Sequence, residues 1–369
     1  MFKLEAKEGK ARAGELETRH GKIKTPFFMP VATKGAIKHL STKQLEETGT
    51  NCFIANALLL SLKPGLEVIK RHGTLHDFMH WNKAIFTDSG GFQILIPGIF
   101  IKQDDRGVWF KDPFRGEKLF LTPEDCMEIQ ISIGADVAMC LDDVPQVNCD
   151  ETREKDATRR THLWAERCKK SHTDKKQSLF GIAQGGRDPE LRKESMEFMV
   201  QLDFDGYAFG GLCLGEGRDI MLKMVEAQEP VIPDNKPRYL MGVGSPEDIL
   251  LCIERGVDIF DSIFPTENAR HETVFTRNGR IRITKPMYAQ DLSRLDENCG
   301  CYCCKHFTKS YLHHLMRIGE ALGMQLCSLH NIHFLQTMIK EAREAIVEGK
   351  FQEYKNSFLE KYKNLQNGE

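Results

Sequence analysis

Asp261 stands in a stretch that otherwise reads as buried. Val257-Asp-Ile-Phe-Asp-Ser-Ile-Phe-Pro265 is apolar at Ile259, Phe260, Ile263 and Phe264, as a strand covered on both faces is. A carboxylate in such a strand is costly unless something uses it. Arg270, Arg277, Arg280, Arg282 and Lys285 follow against Glu272 alone, which would lay a basic ribbon beside the acid and fit a reaction on a polyanion. Asn56, Asp88, Asp142, Asp143, Gln184, Gly210 and Gly211 also lie at or near the carboxyl ends of apolar runs. Taken singly they are turn formers or caps, Asp88 in Thr87-Asp-Ser-Gly-Gly91 and Asp142 before a helix. Taken together they describe the mouth of a site.

Cys299-Gly-Cys301-Tyr-Cys303-Cys304 is the second reactive constellation. Its C-x-C-x-x-C register selects Cys299, Cys301 and Cys304, three thiolates that need a fourth ligand to complete a tetrahedron around zinc. His330 in Leu329-His-Asn-Ile-His333 is the favoured fourth, with His306, Cys327 and His333 as alternatives. A closed site of this kind is structural and would staple a small subdomain. The bland reading, thiols that only pack, fits scattered cysteines such as Cys52, Cys126 and Cys252 better than this cluster.

The elements that must position these residues form a regular series. Apolar runs at 25–31, 52–58, 84–90, 136–143, 178–186, 206–213, 238–244 and 257–265 alternate with helix-like segments such as Glu154–Ser171, Asp188–Gln201, Arg218–Glu229 and Pro246–Arg255. Eight such runs predict parallel strands closed into an irregular (β/α)8 TIM barrel, an α/β fold whose active site lies at the carboxyl ends of its strands. An open doubly wound sheet is the alternative. Residues 93–121 are too long for a simple crossover and predict a hairpin over the mouth. The whole chain, 1–369, reads as one domain, with a zinc subdomain inserted at about 286–335 and a C-terminal helix returning to the barrel.

Composition narrows the function classes. With 369 residues, 41% hydrophobic and 28% charged, the chain is an ordinary globule. Its formal charge of −2 leaves nucleic-acid binding to local patches, the ribbon above and the segment from Arg153 to Lys176, the latter equally readable as a solvated helix face. The amino terminus lacks the apolar core of a signal peptide, and no apolar run approaches the ~18 residues of a spanning helix, so a cytoplasmic protein away from membranes is expected.

The motifs also carry a resemblance. From Gly14-Glu-Leu16 and Pro26 through Thr87-Asp-Ser-Gly-Gly-Phe-Gln93, Leu141-Asp-Asp-Val144, Ala183-Gln-Gly-Gly186, Gly210-Gly-Leu212, Tyr239-Leu-Met-Gly-Val-Gly244 and Phe260-Asp261 to the cysteine cluster and His330, the chain resembles tRNA-guanine transglycosylases, also called queuine tRNA-ribosyltransferases. The resemblance implies exchange of guanine in tRNA for a 7-deazaguanine, at G34 of GUN anticodons. It implies Asp261 as the nucleophile at ribose C1′ and Asp88 as the general acid and base. It further implies a base pocket of Asp142, Gln184, the backbone of Gly211 and Leu212, and the faces of Phe92 and Met241, with Arg270 on the RNA, structural zinc, and a homodimer.

Four places depart from, or divide, the family pattern. Glu267 replaces an arginine, and Asn56-Ala-Leu-Leu-Leu60 replaces a more polar segment. Val144 resembles the queuine-using pattern while the bulk of Leu214 favours preQ1, with preQ1 preferred. The competing functions are a non-catalytic partner subunit, which retention of Asp88 and Asp261 opposes, and a nucleoside-hydrolysing barrel.

Overall fold

The structure, a computed structural model, describes residues 1–94 and 98–363, without the side chains of Phe92, Gln93 and Lys363. Strands β1 (Phe2–Glu8), β2 (Ala11–Thr18) and β3 (Gly21–Thr25) make an antiparallel sheet ahead of β4 (Phe27–Pro30), β5 (Cys52–Asn56) and β6 (Ala84–Asp88). A second antiparallel sheet, β7 (Phe100–Asp104), β8 (Gly107–Lys111) and β9 (Lys118–Leu121), follows. Next come β10 (Val137–Met139), β11 (Ser178–Ala183), β12 (Gly206–Phe209), β13 (Arg238–Leu240) and β14 (Ile259–Ser262), then the hairpin β15 (Thr273–Thr276) and β16 (Gly279–Arg282).

Eight strands pair in the order β4-β14-β13-β12-β11-β10-β6-β5. A parallel bridge from Val31 to Ile54 joins the two outermost strands, with Ala32 N donating to Ile54 O at 2.7 Å. The sheet is thus the predicted barrel and not the open alternative. Most strands end earlier than the apolar runs do: β6 stops at Asp88 and β10 at Met139. The backbone leaves the ladder where the polar strand-end residues begin. Helices at Glu151–Ser171, Pro189–Gln201, Arg218–Gln228 and Pro246–Ile253 match the periodic segments, and the Asp150, Asp188 and Ser245 side chains cap three of them. Between β4 and β5 a short helix spans Thr42–Glu47.

Large side chains fill the barrel. Phe86 meets the rings of Phe27, Phe180 and Tyr239 edge-on at 6.2, 5.7 and 6.2 Å, an arrangement that adds to their burial. Phe2, Leu16 and Ile23 of the amino-terminal sheet complete this core from the end opposite the mouth. That sheet was not legible in the charged amino-terminal sequence. Polar clasps hold it: buried Arg12 reaches Asp258 at 3.2 Å, and buried Asp136 accepts from His20 N at 3.0 Å and from Ile85 N at 2.8 Å.

The predicted hairpin over the mouth is the three-stranded sheet β7–β9. Gln103 of β7 donates to buried Asp143 at 2.8 Å, and Arg153 and Arg160 close on the same carboxylate. Arg159 and Arg167 pair with Asp105 and Glu124. The arginines of the segment from Arg153 onward therefore dock this sheet instead of waiting for nucleic acid. Removing Asp143 strands two guanidiniums, so Asp143→Ala is expected to destabilise the fold by about 3–5 kcal/mol in urea denaturation.

Candidate active site and metal cluster

Asp88 ends β6 and Asp261 lies in β14, and both are partly open to the mouth. Asn56 is the register partner of Asp88, and Asp261 pairs with Met29. One oxygen of Asp261 accepts from Tyr239 OH at 2.6 Å and from Gly242 N at 3.0 Å. Asp88 Oδ1 accepts from Gly90 N at 3.0 Å.

Their environments separate the two acids. Burial, reinforced by the charge of Asp261, pushes Asp88 up to about 8. Burial also raises Asp261, but the hydrogen bonds from Tyr239 and Gly242 oppose it. The arrangement favours one neutral acid beside one carboxylate. Tyr239 was missed as a site residue. Its spacing of two from Met241, which places both on one face of a strand, was the available signal.

Asp142 and Gln184 form the polar pair expected of a base pocket, Gln184 Nε2 donating to Asp142 Oδ2 at 2.7 Å. Burial lifts Asp142 to about 7. Gln184 Oε1 is buried without a partner, an acceptor left over for a ligand donor. Gly211 has φ +63, and a Cβ there would lie 2.3 Å from that same oxygen, so both the backbone and the close approach require glycine. Leu212 is buried and Met241 half-buried at the rim of the barrel core. The Phe92 side chain lies outside the described residues.

Arg192, on helix Pro189–Gln201 and fully buried, escaped the sequence reading. It donates to the carbonyls of Gly186 at 2.9 Å, Gly210 at 2.5 Å and Gly211 at 3.4 Å. In a trans peptide the N–H points opposite the C=O, so the N–H groups of Gly211 and Leu212 face away from Arg192. Burial lowers this guanidinium to about 10. Glu216 accepts from the N–H groups of Cys213 and Leu214 at 2.5 and 2.8 Å and holds the next turn.

The basic ribbon is corrected by the structure. Arg277 pairs with Glu341, Arg280 with Glu247 and Arg282 with Glu272, so these charges stabilise the β15–β16 hairpin. Arg270 remains half-buried at the end of helix Phe264–Arg270, with Nη1 unpartnered.

The cysteine cluster assembles as its spacing implied. Sγ of Cys299, Cys301 and Cys304 lie 3.7, 3.5 and 3.3 Å from His330 Nδ1, and the four ligand atoms lie within 4.8 Å of one another. A tetrahedral ion with sulfur and nitrogen ligands would separate them by roughly 3.5–3.8 Å. His330 Nε2 lies 2.6 Å from Phe275 O, a donor role that leaves Nδ1 for a metal. The residues fit a metal ion.

Fold and site together define a (β/α)8 barrel with two unlike carboxylates in its mouth and a Cys3His cluster beside it. The profile described as queuine tRNA-ribosyltransferase matches residues 7–364. Queuine tRNA-ribosyltransferases from Thermotoga petrophila and Thermotoga maritima are each 47% identical over 362 residues, 98% of this chain and 98% of theirs. One from Francisella tularensis subsp. novicida is 46% identical over 362 residues, 98% of this chain and 99% of its own. The chain belongs to the queuine tRNA-ribosyltransferase family.

The raised Asp88 has a consequence for stability. The unfolded chain releases this proton near pH 4 and the folded chain near 8, so folding loses stability as pH rises between them. Asp88→Asn removes that penalty. Its melting temperature is expected to exceed that of the unsubstituted protein by a margin that grows from pH 5 to pH 8.

Proposed function

We propose that the protein is a tRNA-guanine transglycosylase that replaces G34 of GUN anticodons with a 7-deazaguanine, preQ1 ahead of queuine, in the cytoplasm and as a homodimer. The observation that carries the mechanism is the pairing of Asp88, raised to about 8, with an Asp261 that accepts two hydrogen bonds on one oxygen.

Asp261 attacks ribose C1′ as the bond from C1′ to guanine breaks, giving a glycosyl ester, while Asp88 donates a proton to the departing base. Asp88 then takes the ring N–H proton of the incoming base, whose nitrogen displaces Asp261 from C1′. The phosphodiester chain stays intact. Two inversions return the original configuration, as in retaining glycosidases. The target must be turned out of its stack to enter the mouth. Asp142 and Gln184 would read its polar edge, the N–H groups of Gly211 and Leu212 its carbonyl, and Phe92 and Met241 its faces, with Arg270 on the RNA. Zinc on Cys299, Cys301, Cys304 and His330 would be structural, within a subdomain at about 286–335 of a single-domain chain.

Labelled guanine exchange into tRNA tests the reading. Incorporation supports it, release of base without incorporation would make the protein a hydrolase, and no reaction would make it a partner subunit. Asp261→Ala is expected to abolish exchange while still binding tRNA, and exchange at the normal rate would remove Asp261 from the mechanism. Elemental analysis of Cys304→Ala is expected to show lost zinc, whereas full occupancy would overturn the ligand set.

A further inference from the structure

Beside the mouth runs an apolar groove of about 390 Å³, walled by Leu58, Leu59, Leu62, Phe110 and Phe114. It adjoins the catalytic strands directly. Leu58 follows Asn56, the register partner of Asp88, by two residues, and a Cβ on Gly90 would lie 2.4 Å from Leu58 Cβ. Of the segment Asn56–Leu60, Leu58 and Leu59 line the groove.

Charge at the rim indicates the occupant. Lys34 lies in the loop after β4 and Lys63 in the short helical stretch Ser61–Gly65 that follows β5, and each ammonium lies 5.4 Å from the centre of the Phe114 ring. Both are exposed, and among the described residues neither forms an ion pair with a carboxylate. Arg270 apart, the arginines of the two basic runs behave differently: Arg153, Arg159, Arg160, Arg167, Arg277, Arg280 and Arg282 are paired within the fold. An apolar slot with an aromatic wall and two unpaired cations matches a nucleotide, which has flat apolar faces and one anionic linker.

We propose that this groove seats a nucleotide next to the exchanged one in the RNA strand, its base against Leu58, Leu59 and Phe114 and its phosphate at Lys34 and Lys63. The proposal rests on the reading that the substrate is RNA. It assigns strand recognition to the segments after β4 and β5.

The test uses the full chain, an anticodon stem-loop RNA and labelled guanine. For the Lys34→Ala/Lys63→Ala double variant, the log–log dependence of RNA binding on salt is expected to flatten by about 0.7, the loss of one neutralised phosphate on a single strand. Phe114→Ala is expected to raise the KM for RNA roughly 5- to 100-fold, with a much smaller change in the KM for the incoming base. Unchanged RNA KM and salt dependence in both variants, while the unsubstituted protein exchanges guanine, would overturn the subsite. Absence of exchange in the unsubstituted protein would instead overturn the functional reading. A change of assembly state by light scattering in either variant would also overturn the subsite, making the groove a contact between copies of the chain.

Discussion

Asp88 and Asp261 share a mouth because the sheet closes. In the order β4-β14-β13-β12-β11-β10-β6-β5, the strands that carry them stand second and second from last. Laid flat, that sheet would hold them five inter-strand spacings apart, roughly 24 Å at ~4.8 Å each. The bridge from Val31 to Ile54 brings β14 and β6 round to face each other across one cavity. Everything specific about the two acids follows from that closure, including the influence of Asp261 on the proton affinity of Asp88.

The cavity depends in turn on charges that never face it. Asp143 is the neighbour of Asp142, yet it points the other way and is tied to Gln103, Arg153 and Arg160. It holds the β7–β9 sheet in place, while Asp142 meets Gln184 inside. Arg192 acts beneath the pocket by engaging the carbonyls of Gly210 and Gly211. A buried cation bonded only to peptide oxygens orients those peptides without offering a carboxylate to the ligand.

The Cys3His cluster, remote from the reacting carboxylates in sequence, is joined to them by backbone. His330 bonds Phe275 O, and its neighbour Asn331 donates to Pro265 O and Thr273 O, both at 3.0 Å, and accepts from Phe275 N at 3.0 Å. Pro265 lies four residues beyond Asp261. A metal held by His330 would thereby steady the exit of the strand that carries the proposed nucleophile. The arginines of the β15–β16 hairpin secure the same connection through Glu341, Glu247 and Glu272.

Strand alternation, the ends of the apolar runs and the cysteine spacing were readable from the chain, because periodicity and ligand spacing are relations between residues near one another. They were enough for the barrel, for Asp88, Asp261, Asp142 and Gln184 as mouth residues, and for three thiolates of the cluster. The amino-terminal sheet, the part played by Arg192 and Tyr239, and the opposite fates of Asp142 and Asp143 depended on the tertiary structure. So did the pairing of most arginines in the two basic runs, some of whose partners, as in Arg277 with Glu341, lie far along the chain. Proton affinity and free charge are set by burial and by partners in space, and sequence order records neither.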